Sequence, residues 1–528
     1  MFYTRRMTHA REYDVVVVGS GGGAMTGALL AQKAGLSTVV VEKTALLGGT
    51  SAYSGGACWL PGSAVQQRAG IADSTASART YLAAILTGAD EARIEAFLEH
   101  APQLVAELEA DEAIDFEWLP FPEYYDAPGR VPLGRSIQPT NVKRADLPAA
   151  LGDLVRPPVE RDRAGRGGRS TLSGGQALIA RLLDGFLREG GTVLTELPVT
   201  GLVLEDGRVA GVAARTPEGP VRIGARRGVL VAAGGFEGNQ ALRDERGVPG
   251  DVAWTMAPAG TNTGEPIEAA AAIGAATDFR AVGWFCPGLA QPDGGGSFTL
   301  GFRSGLIVDQ GGQRYANECL PYDRFGRAMA EDPARIPSWF VFDSREGGRL
   351  PAIAMPEGDP ADHLAAGTWV RAETLADLAG LIGVPPHALA ASVERFNGFC
   401  ETGVDEDFGR GGDEYDTFFT GGTGPTEHIR NGALTACTEA PFYAARLVLS
   451  DLGTKGGLVT DTAGRVLRAD GTPIAGLYAA GNSAASVFGA VYPGPGAPLG
   501  SAMVFAALAV RDLADLPEGA VVPTEVRA

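Results

Sequence analysis

The stretch Asp14–Ala24 reads DVVVVGSGGGA and decides the fold class of this chain. Four consecutive valines closed by glycine predict a strand over Asp14–Gly19 that is buried on both faces of a parallel sheet. The Ala- and Leu-rich residues Ala24–Ala34 predict a helix, and Ser37–Glu42 (STVVVE) predicts a second buried strand. Together these segments form one βαβ unit of about 30 residues.

The loop between this strand and helix has the pattern G-x-G-x-x-A. Gly19 permits the tight turn, Gly21 lets the backbone approach a pyrophosphate, and the small Ala24 allows close packing of the helix on the strand. Free N–H groups at the helix N-terminus suit the phosphates. Glu42 lies 23 residues after Gly19, where an acidic side chain binds ribose hydroxyls. The whole pattern predicts a dinucleotide site, although Glu42 alone does not separate FAD from NAD.

Composition excludes several other classes of protein. The chain has 528 residues, 75 of them glycine without a three-residue period, and 45% hydrophobic residues, so neither collagen nor a long disordered chain is expected. A net charge of −19 disfavours nucleic acid as a partner. Five widely spaced cysteines and five histidines (His9, His100, His363, His387, His428) show no disulfide framework and no metal spacing.

Targeting signals are not expected either. The apolar stretch Ala502–Val510 is shorter than the roughly 18 residues of a membrane-spanning helix. Arg5, Arg6 and Arg11 precede a strand and a loop rather than the apolar segment of a signal peptide, and Met7 is an alternative to Met1 as the translation start. A cytoplasmic location is therefore the expectation.

Changes in amino-acid composition along the chain predict two domains. Residues 449–528 return to the Gly- and Ala-rich style of the beginning, whereas residues 276–448 contain more aromatics, proline and mixed charge. We therefore expect one domain made of residues 1–275 and 449–528, with a second domain of residues 276–448 inserted into it.

A second loop of small residues favours FAD over NAD. Gly48–Gly56 (GGTSAYSGG) can lie flat against a ring system and offer hydroxyls and N–H groups to it. It resembles the flavin-contacting loop of the fumarate reductase-like flavoproteins. Val231–Glu237 and Ala479–Asn482 resemble the other flavin-contacting segments of those enzymes, in the expected order.

A narrower resemblance covers about residues 12 to 513. Several motifs are similar to those of the 3-ketosteroid Δ1-dehydrogenases: Leu452–Gly457 (LGTKGG), Tyr492–Gly496 (YPGPG), Phe116–Tyr125 followed by Gly134-Arg135-Ser136, Asn317–Tyr322 (NECLPY), and Arg395-Phe396-Asn397 with Gly403–Glu406. The resemblance implies an α/β protein with a discontinuous Rossmann-like FAD-binding domain and an inserted α+β catalytic domain that caps the substrate. It also implies FAD-dependent desaturation of C1–C2 in 3-ketosteroids, as in steroid degradation, with an unidentified electron acceptor that re-oxidises the FAD.

Such a desaturation makes two demands on a site. A proton must leave C2 while enolate charge forms on the C3 oxygen, and a hydride must leave C1 for flavin N5. By the resemblance, the Tyr492 hydroxyl and the Gly496 N–H polarise the ketone, because a stiff Pro-Gly turn can aim both at one oxygen. Tyr322 is the implied base, with Tyr124 as its partner, and Tyr125 competes for that partner role.

The resemblance assigns FAD contacts to residues in these small-residue segments and to several residues near them. The predicted FAD contacts are Gly19, Ser20, Gly21, Gly22, Gly23, Ala24, Glu42, Lys43, Gly49, Thr50, Ser51, Ser54, Gly55, Gly56, Ala57, Val199, Ala233, Gly234, Gly481, Asn482, Pro498 and Leu499.

Three alternatives remain open at this point. The first is a relative that desaturates another bond of the A ring, such as a Δ4 desaturase. The second is a dicarboxylate reductase of the wider family, in which Arg303 or Arg324 would donate the proton. The third is a redox-inert flavin or NAD binder with a structural or signalling role.

Overall fold

The computed structural model describes residues 11–419 and 430–517. Met1, Arg5, Arg6, Met7, His9 and His428 lie outside these residues, whereas Arg11 begins the first strand. The described chain divides into two compact units, each treated by itself below. The first unit comprises residues up to Leu242, Ala257–Ala281 and the chain from Thr454 onward, and the second comprises Arg243–Met256 and Val282–Gly453.

Short runs of helices and of strands follow one another along the described residues. The helices are α1 (Gly22–Lys33), α2 (Gly49–Tyr53), α3 (Ala64–Arg68), α4 (Thr75–Ile85), α5 (Glu91–Glu109), α6 (Ala149–Leu154), α7 (Val159–Asp162), α8 (Gly175–Arg188), α9 (Gln240–Glu245), α10 (Glu265–Ala272), α11 (Tyr322–Ala330), α12 (Pro360–Ala366), α13 (Leu375–Ile382), α14 (Pro386–Thr402), α15 (Glu414–Phe418) and α16 (Ala497–Leu513).

The strands are β1 (Arg11–Val18), β2 (Thr38–Val41), β3 (Cys58–Trp59), β4 (Phe116–Trp118), β5 (Ser136–Pro139), β6 (Val142–Lys143), β7 (Thr171–Leu172), β8 (Thr192–Leu194), β9 (Val199–Glu205), β10 (Arg208–Thr216), β11 (Gly219–Val231), β12 (Thr277–Ala290), β13 (Gly296–Leu300), β14 (Leu306–Val308), β15 (Ser338–Phe342), β16 (Ile353–Met355), β17 (Trp369–Ala372), β18 (Phe442–Leu458), β19 (Arg465–Leu467) and β20 (Pro473–Ala479).

The valine run forms the middle of the main sheet of the first unit. This sheet has the order β19-β20-β11-β1-β2-β8, and β1 pairs in parallel with both β2 and β11. Val15, Val16 and Val17 are fully buried, because helices cover one face of the central strands and further apolar residues cover the other. The predicted strand-helix-strand order is confirmed.

Two further stretches carry local sequence signals: Val221–Ile223 and Gly228–Ala233 predict separate strands, and Asp206-Gly207 predicts a hairpin turn. The strand prediction needs adjustment, and the turn is confirmed. The predicted strands Val221–Ile223 and Gly228–Ala233 are parts of one long strand, β11, which pairs with β10 at its start and with β1 and β20 farther along. Asp206-Gly207 forms the predicted hairpin turn, with φ of +47° and +77°, and joins the antiparallel strands β9 and β10.

The second unit is built on a seven-stranded sheet with the order β14-β15-β18-β12-β13-β16, and β17 pairs with β18. Helices α13 and α14 supply a core of leucine, valine and phenylalanine side chains packed against its strands. Residues 243–256, which the sequence had placed in the first domain, belong to this unit. The reason is a buried ion pair between Arg243 and Asp451, 2.7 Å apart, and a hydrogen bond from Ser450 Oγ to the Trp254 carbonyl at 2.6 Å.

No helix within the described ranges is long and apolar enough to cross a bilayer. The five cysteines are free. Within residues 11–419 and 430–517, no three His, Cys, Asp or Glu side chains form a cluster suited to a metal ion.

Asp451→Asn tests the ion pair that holds residues 243–256. Asp451 also accepts hydrogen bonds from Thr255 Oγ1 and the Gly453 N–H, so the substitution leaves a buried guanidinium without its counter-charge. We expect the free energy of unfolding in urea to fall by about 3–5 kcal/mol. Glu95→Gln, which breaks the half-exposed Arg79–Glu95 pair, should cost less than about 1 kcal/mol. Equal losses in the two variants would contradict the assignment.

Candidate active site

The turn after β1 brings backbone to within contact distance of the neighbouring strand. Gly19 has φ of +101°, and a Cβ there would lie 2.5 Å from the carbonyl oxygen of Ala232. The Gly19 N–H donates to the Val41 carbonyl, and the Ala232 N–H donates to the Val18 carbonyl. Only glycine therefore fits this turn, which lies at the carboxyl ends of β1, β2 and β11, the edge where α/β sheets bind ligands.

The N-terminus of α1 has the features of a phosphate site. Its N-cap residue Gly21 has no side chain to cap the helix, and the Gly22 N–H donates to Ser51 Oγ at 3.0 Å. A Cβ on Gly23 would lie 2.8 Å from the Ala502 carbonyl oxygen, so α1 and α16 pack backbone to backbone. The first-turn N–H groups and the helix dipole favour an anion here.

Glu42 is fixed by a small network before any ligand binds. Its carboxylate accepts hydrogen bonds from Ser20 Oγ at 2.6 Å and from the Thr44 N–H and Oγ1 at 2.9 and 3.0 Å. Ser20 Oγ accepts from the Gly48 N–H at 3.0 Å. An ionised carboxylate offers about four acceptor positions, so about one position remains for a ribose hydroxyl. Ser20 thus orients Glu42.

Lys43 and Val199 lie beside Glu42. Lys43 Nζ donates to Thr263 Oγ1 at 2.8 Å and lies 3.4 Å from a Glu265 carboxylate oxygen. Val199 begins β9, two residues after Leu197, whose N–H donates to the Glu42 carbonyl. Both residues therefore belong to the same corner of the first unit as Glu42.

The second small-residue segment is partly helical, so its description as a loop was wrong. Residues Gly49–Tyr53 form α2 because Gly48, in a left-handed conformation, lets the chain turn into a helix. A Cβ on Gly49 or Gly55 would meet no atom within 4 Å, so both glycines have open space beside them. Ser54 Oγ donates to the Ser51 carbonyl and accepts from the Gly56 N–H, which fixes the end of the segment.

Two other glycines support this segment, and the sequence reasoning missed them. A Cβ on Gly56 would lie 2.4 Å from the Gly174 backbone, and one on Gly175 would lie 1.8 Å from the Ser51 carbonyl oxygen. The Gly-Gly pair at the start of α8 was the available signal, because such pairs allow close approach of backbones.

The strand ends of β11 and β20 supply the remaining predicted cofactor residues. Ser483 Oγ accepts from the Ala233 N–H at 3.0 Å and donates to the Gly234 carbonyl at 2.8 Å. Gly481, with φ of +64°, and Asn482 lie in the short 3-10 turn that contains Ser483. The segments 233–234 and 481–482 therefore meet. Thr50 Oγ1 accepts a 3.3 Å hydrogen bond from Asn262 Nδ2, and a Cβ on Gly234 would lie 2.5 Å from the same nitrogen.

These features fit an FAD molecule. The helix N-terminus suits the pyrophosphate, the fixed Glu42 carboxylate suits a ribose, and the open glycines of 49–55 suit a flat ring system.

The Tyr492–Gly496 turn lies next to Tyr124. The rings of Tyr124 and Tyr492 are 5.1 Å apart at an interplanar angle of 64°, an edge-to-face contact. The Tyr124 N–H donates to the Pro493 carbonyl at 3.2 Å. Both tyrosines are buried. Tyr125 is only half-buried, and its N–H donates to the Tyr81 hydroxyl.

Gly496 is held tightly and caps α16. Its φ is +84°, and a Cβ there would lie 2.3 Å from the Ala57 backbone, so glycine is required. Its carbonyl accepts from the Trp59 N–H at 3.1 Å. Its own N–H is buried and has no acceptor among residues 11–419 and 430–517. Such a group is rare in a folded protein and is available to a ligand.

Pro498 and Leu499 follow in the first turn of α16. A Cβ on Gly22 would lie 2.9 Å from Leu499 Cδ2, so the start of α16 lies against the dinucleotide turn. The structure thus brings together Tyr124, Tyr492, Gly496 and the predicted FAD contacts in one unit.

The carbonyl groups of the turn have further donors that the sequence reasoning did not identify. The Tyr81 hydroxyl donates to the Pro493 carbonyl at 2.7 Å, and Ser136 Oγ donates to the Pro495 carbonyl at 2.6 Å. Burial raises the pKa of the Tyr81 hydroxyl, which keeps it protonated as a donor. The sequence contained a signal for Ser136, because Gly134-Arg135-Ser136 is one of the motifs that resemble the 3-ketosteroid Δ1-dehydrogenases. The resemblance assigned no role to this motif.

A buried ion pair between Arg135 and Glu123 lies next to Ser136 in the chain. Arg135 binds both carboxylate oxygens of Glu123, at 2.7 and 3.1 Å, and Trp59 Nε1 donates to one of them at 2.9 Å. Burial raises the pKa of the Glu123 carboxyl, and the Arg135 guanidinium acts in the opposite direction. Because Arg135 precedes Ser136 in β5, this pair fixes the strand that carries the serine.

Tyr322 lies in the second unit, at the first position of α11. Its ring packs edge-to-face on Phe298 at 4.7 Å, and the residue is 4% exposed. The preceding Glu318 is bound by Arg314 at 2.8 Å and Arg410 at 3.1 Å, so the start of α11 is firmly anchored. Arg303, the alternative proton donor, pairs with Glu346 at 3.1 Å.

A family model described as FAD binding domain matches residues 14–499, so the chain is an FAD-binding flavoprotein. The 3-oxosteroid 1-dehydrogenase of Rhodococcus opacus is 43% identical over 95% of this chain and 99% of its own length. The 4-oxocyclohexanecarboxylate 2-dehydrogenase of Sinomonas cyclohexanicum is 36% identical over 96% of this chain and 94% of its own.

Among solved structures, the 3-ketosteroid Δ1-dehydrogenase of Sterolibacterium denitrificans, in complex with 1,4-androstadiene-3,17-dione, superimposes with a TM-score of 0.86 at 33% identity, covering 96% of this chain and all of that one. The chain belongs to the 3-oxosteroid 1-dehydrogenase family. The predicted family, the FAD cofactor and a flavoprotein fold of mixed helices and sheets are confirmed.

Gly19→Ala tests the dinucleotide turn. A Cβ at this position combines a left-handed φ with a backbone clash, so we expect the variant to purify with less bound FAD and a lower unfolding midpoint. Gly70→Ala is the matched control, because Gly70 has φ of +74° and open space around its Cβ position. The control should cost only the left-handed strain of about 1–2 kcal/mol and keep its FAD. Full FAD content in Gly19→Ala would contradict the proposed geometry.

Proposed function

We propose that this protein is an FAD-dependent oxidoreductase that desaturates the C1–C2 bond of 3-ketosteroids. Nearly full-length similarity to 3-oxosteroid 1-dehydrogenases supports the substrate class. The observation that carries the proposal is the Tyr492–Gly496 turn, in which a tyrosine and a buried N–H without an acceptor stand on one rigid segment. We propose that this turn binds the C3 ketone.

The reaction needs stabilisation of the charge that forms on the ketone oxygen when the C2 proton leaves. The Tyr492 hydroxyl and the Gly496 N–H are the proposed donors to that oxygen. Because both belong to a buried turn whose carbonyls are bonded to Tyr81, Tyr124 and Ser136, they need little reorganisation as charge develops.

Tyr322 is the proposed base for the C2 proton, and Tyr124 is its proposed partner. A free tyrosine has a pKa of about 10 and needs help to accept a proton at neutral pH. Tyr124 is favoured over Tyr125 because its ring packs on Tyr492. Held by the N-terminus of α1 and by Glu42, bound FAD would supply the acceptor for the C1 hydride, so that loss of this hydride and of the C2 proton together would form the C1–C2 double bond.

The domain roles follow from the same proposal. A discontinuous Rossmann-like FAD domain, with a catalytic domain inserted near residues 276–448, is supported by the parallel pairing of β20 with β11, since these strands are far apart in the chain. The proposed partners are a 3-ketosteroid substrate and an electron acceptor that re-oxidises the FAD. The proposed reaction belongs to steroid degradation. Cytoplasmic location stays a prediction.

A second candidate is desaturation of a smaller cyclic ketone. The 36% identity to a 4-oxocyclohexanecarboxylate 2-dehydrogenase favours it, because that name also describes a cyclic oxo compound.

Anaerobic bleaching of the bound flavin separates these functions. The purified holoprotein is mixed with 3-ketosteroids, 4-oxocyclohexanecarboxylate and succinate, and the flavin absorbance is followed. We expect rapid bleaching by a 3-ketosteroid with a C1–C2 single bond and formation of the 1-ene product. Bleaching by 4-oxocyclohexanecarboxylate alone would establish the second candidate, and bleaching by none of them would refute both.

Tyr322→Phe tests the proposed base. Loss of the phenolic oxygen should lower kcat by about a hundred- to ten-thousandfold, the usual contribution of a general base. FAD content should not change. The matched control is Tyr315→Phe in the same unit, which loses only a hydroxyl contact with Ser338. Retained turnover in Tyr322→Phe would remove this residue from the mechanism.

Tyr492→Phe tests the proposed oxyanion donor. Turnover should fall by about ten- to a thousandfold, because one donor to the developing charge is lost. Tyr478→Phe serves as control, since its hydroxyl bonds to Asp512 at 2.6 Å. Kinetics in Tyr492→Phe equal to those of the control would argue against a role for the hydroxyl.

A further inference from the structure

We infer that Ser136 is a positioning residue that aims and strengthens the Gly496 N–H as an oxyanion donor. This inference rests on the proposed role of Gly496. Ser136 Oγ donates a 2.6 Å hydrogen bond to the Pro495 carbonyl, and both residues are buried.

The connection between Ser136 and Gly496 is a single peptide group. The Pro495 carbonyl and the Gly496 N–H belong to the same peptide plane, which is trans, so the two groups point in opposite directions. Fixing the carbonyl direction therefore fixes the N–H direction. Proline at 495 also restricts φ on the other side of that carbonyl, so few rotations remain.

The serine hydroxyl also changes the strength of the donor. A hydrogen bond to a peptide carbonyl polarises the whole amide, and each such bond strengthens the next by about 10–30%. The Gly496 N–H is the outward end of this short chain, because no acceptor for it lies in the described parts of the protein. The effect grows as the ketone oxygen gains negative charge, so it acts more on the transition state than on bound ketone.

Ser136 is itself held in place on both sides. It begins β5, the middle strand of the sheet β3-β5-β4, and it is the register partner of Trp59. The Trp59 N–H donates to the Gly496 carbonyl at 3.1 Å. Thus the peptide groups on both sides of Gly496 are bonded to paired residues of this small sheet.

Ser136→Ala removes the hydroxyl that donates to the Pro495 carbonyl, while the hydrogen bonds of the turn to Tyr81, Tyr124 and Trp59 remain. Full removal of an oxyanion donor costs about 10²–10³ in kcat, so weakening one should cost about five- to fiftyfold, with KM changed less than about threefold. Ser392→Ala is the matched control, because Ser392 Oγ makes a 2.7 Å bond to the Gly312 carbonyl in the second unit. The control should retain wild-type kcat.

A binding measurement separates positioning from general loosening. A steroid with a phenolic A ring mimics the enolate, whereas the 1,4-dien-3-one product presents a neutral ketone. We expect Ser136→Ala to lose several-fold more affinity for the phenol than for the ketone, as followed by the flavin spectrum. If Ser136→Ala packs poorly, Ser136→Cys preserves the volume with a weak donor and should show the same selective loss.

Three results would overturn the inference. They are a kcat within twofold of wild type in both serine variants, an equal loss of phenol and ketone affinity, or an equal loss of kcat in Ser136→Ala and Ser392→Ala. If the wild-type protein does not turn over any 3-ketosteroid, the proposed function fails first, and the role of Ser136 falls with it.

Discussion

The first unit depends on the backbone contact between α1 and α16. Gly23 of α1 meets the carbonyl of Ala502 where any side chain would clash, so helices far apart in the sequence touch along their backbones. This contact brings the turn at 492–499 to the glycine turn after β1. Two anion-favouring helix N-termini thereby lie in one region, which suits a cofactor with both phosphates and a ring that gains negative charge.

The Tyr492–Gly496 turn is held in place because its carbonyl groups accept hydrogen bonds from other parts of the first unit. Pro493 accepts from Tyr81 and Tyr124, Pro495 accepts from Ser136, and the Gly496 carbonyl accepts from Trp59. Proline removes two N–H groups that would otherwise need partners. The Gly496 N–H has no acceptor among the described residues, and the bonded carbonyls on both sides of Gly496 fix its direction as the proposed donor.

The sequence pattern correctly predicted those elements that are determined by residues close together in the chain. The valine run, the glycine turn and the acidic residue after β2 lie within 30 residues of each other, and each was placed correctly. The helix α2 was missed because a five-residue helix has too little periodicity to read. Tyr81 was missed for another reason: its partner Pro493 lies 412 positions away, and nothing near Tyr81 in sequence signals that contact.

With the ketone role proposed for the Tyr492–Gly496 turn, selectivity between the two candidate substrates arises from other residues. Two relatives, at 43% and 36% identity, carry names that specify a cyclic ketone, one steroidal and one with a single ring and a carboxylate. In its proposed role the turn donates to one ketone oxygen, a group that both candidate substrates contain, so this role fits either proposed reaction. Discrimination needs contacts with the rest of the molecule, where a carboxylate requires a cation and a steroid requires apolar surface. The choice between the two candidate substrates therefore depends on residues other than the proposed ketone-binding turn.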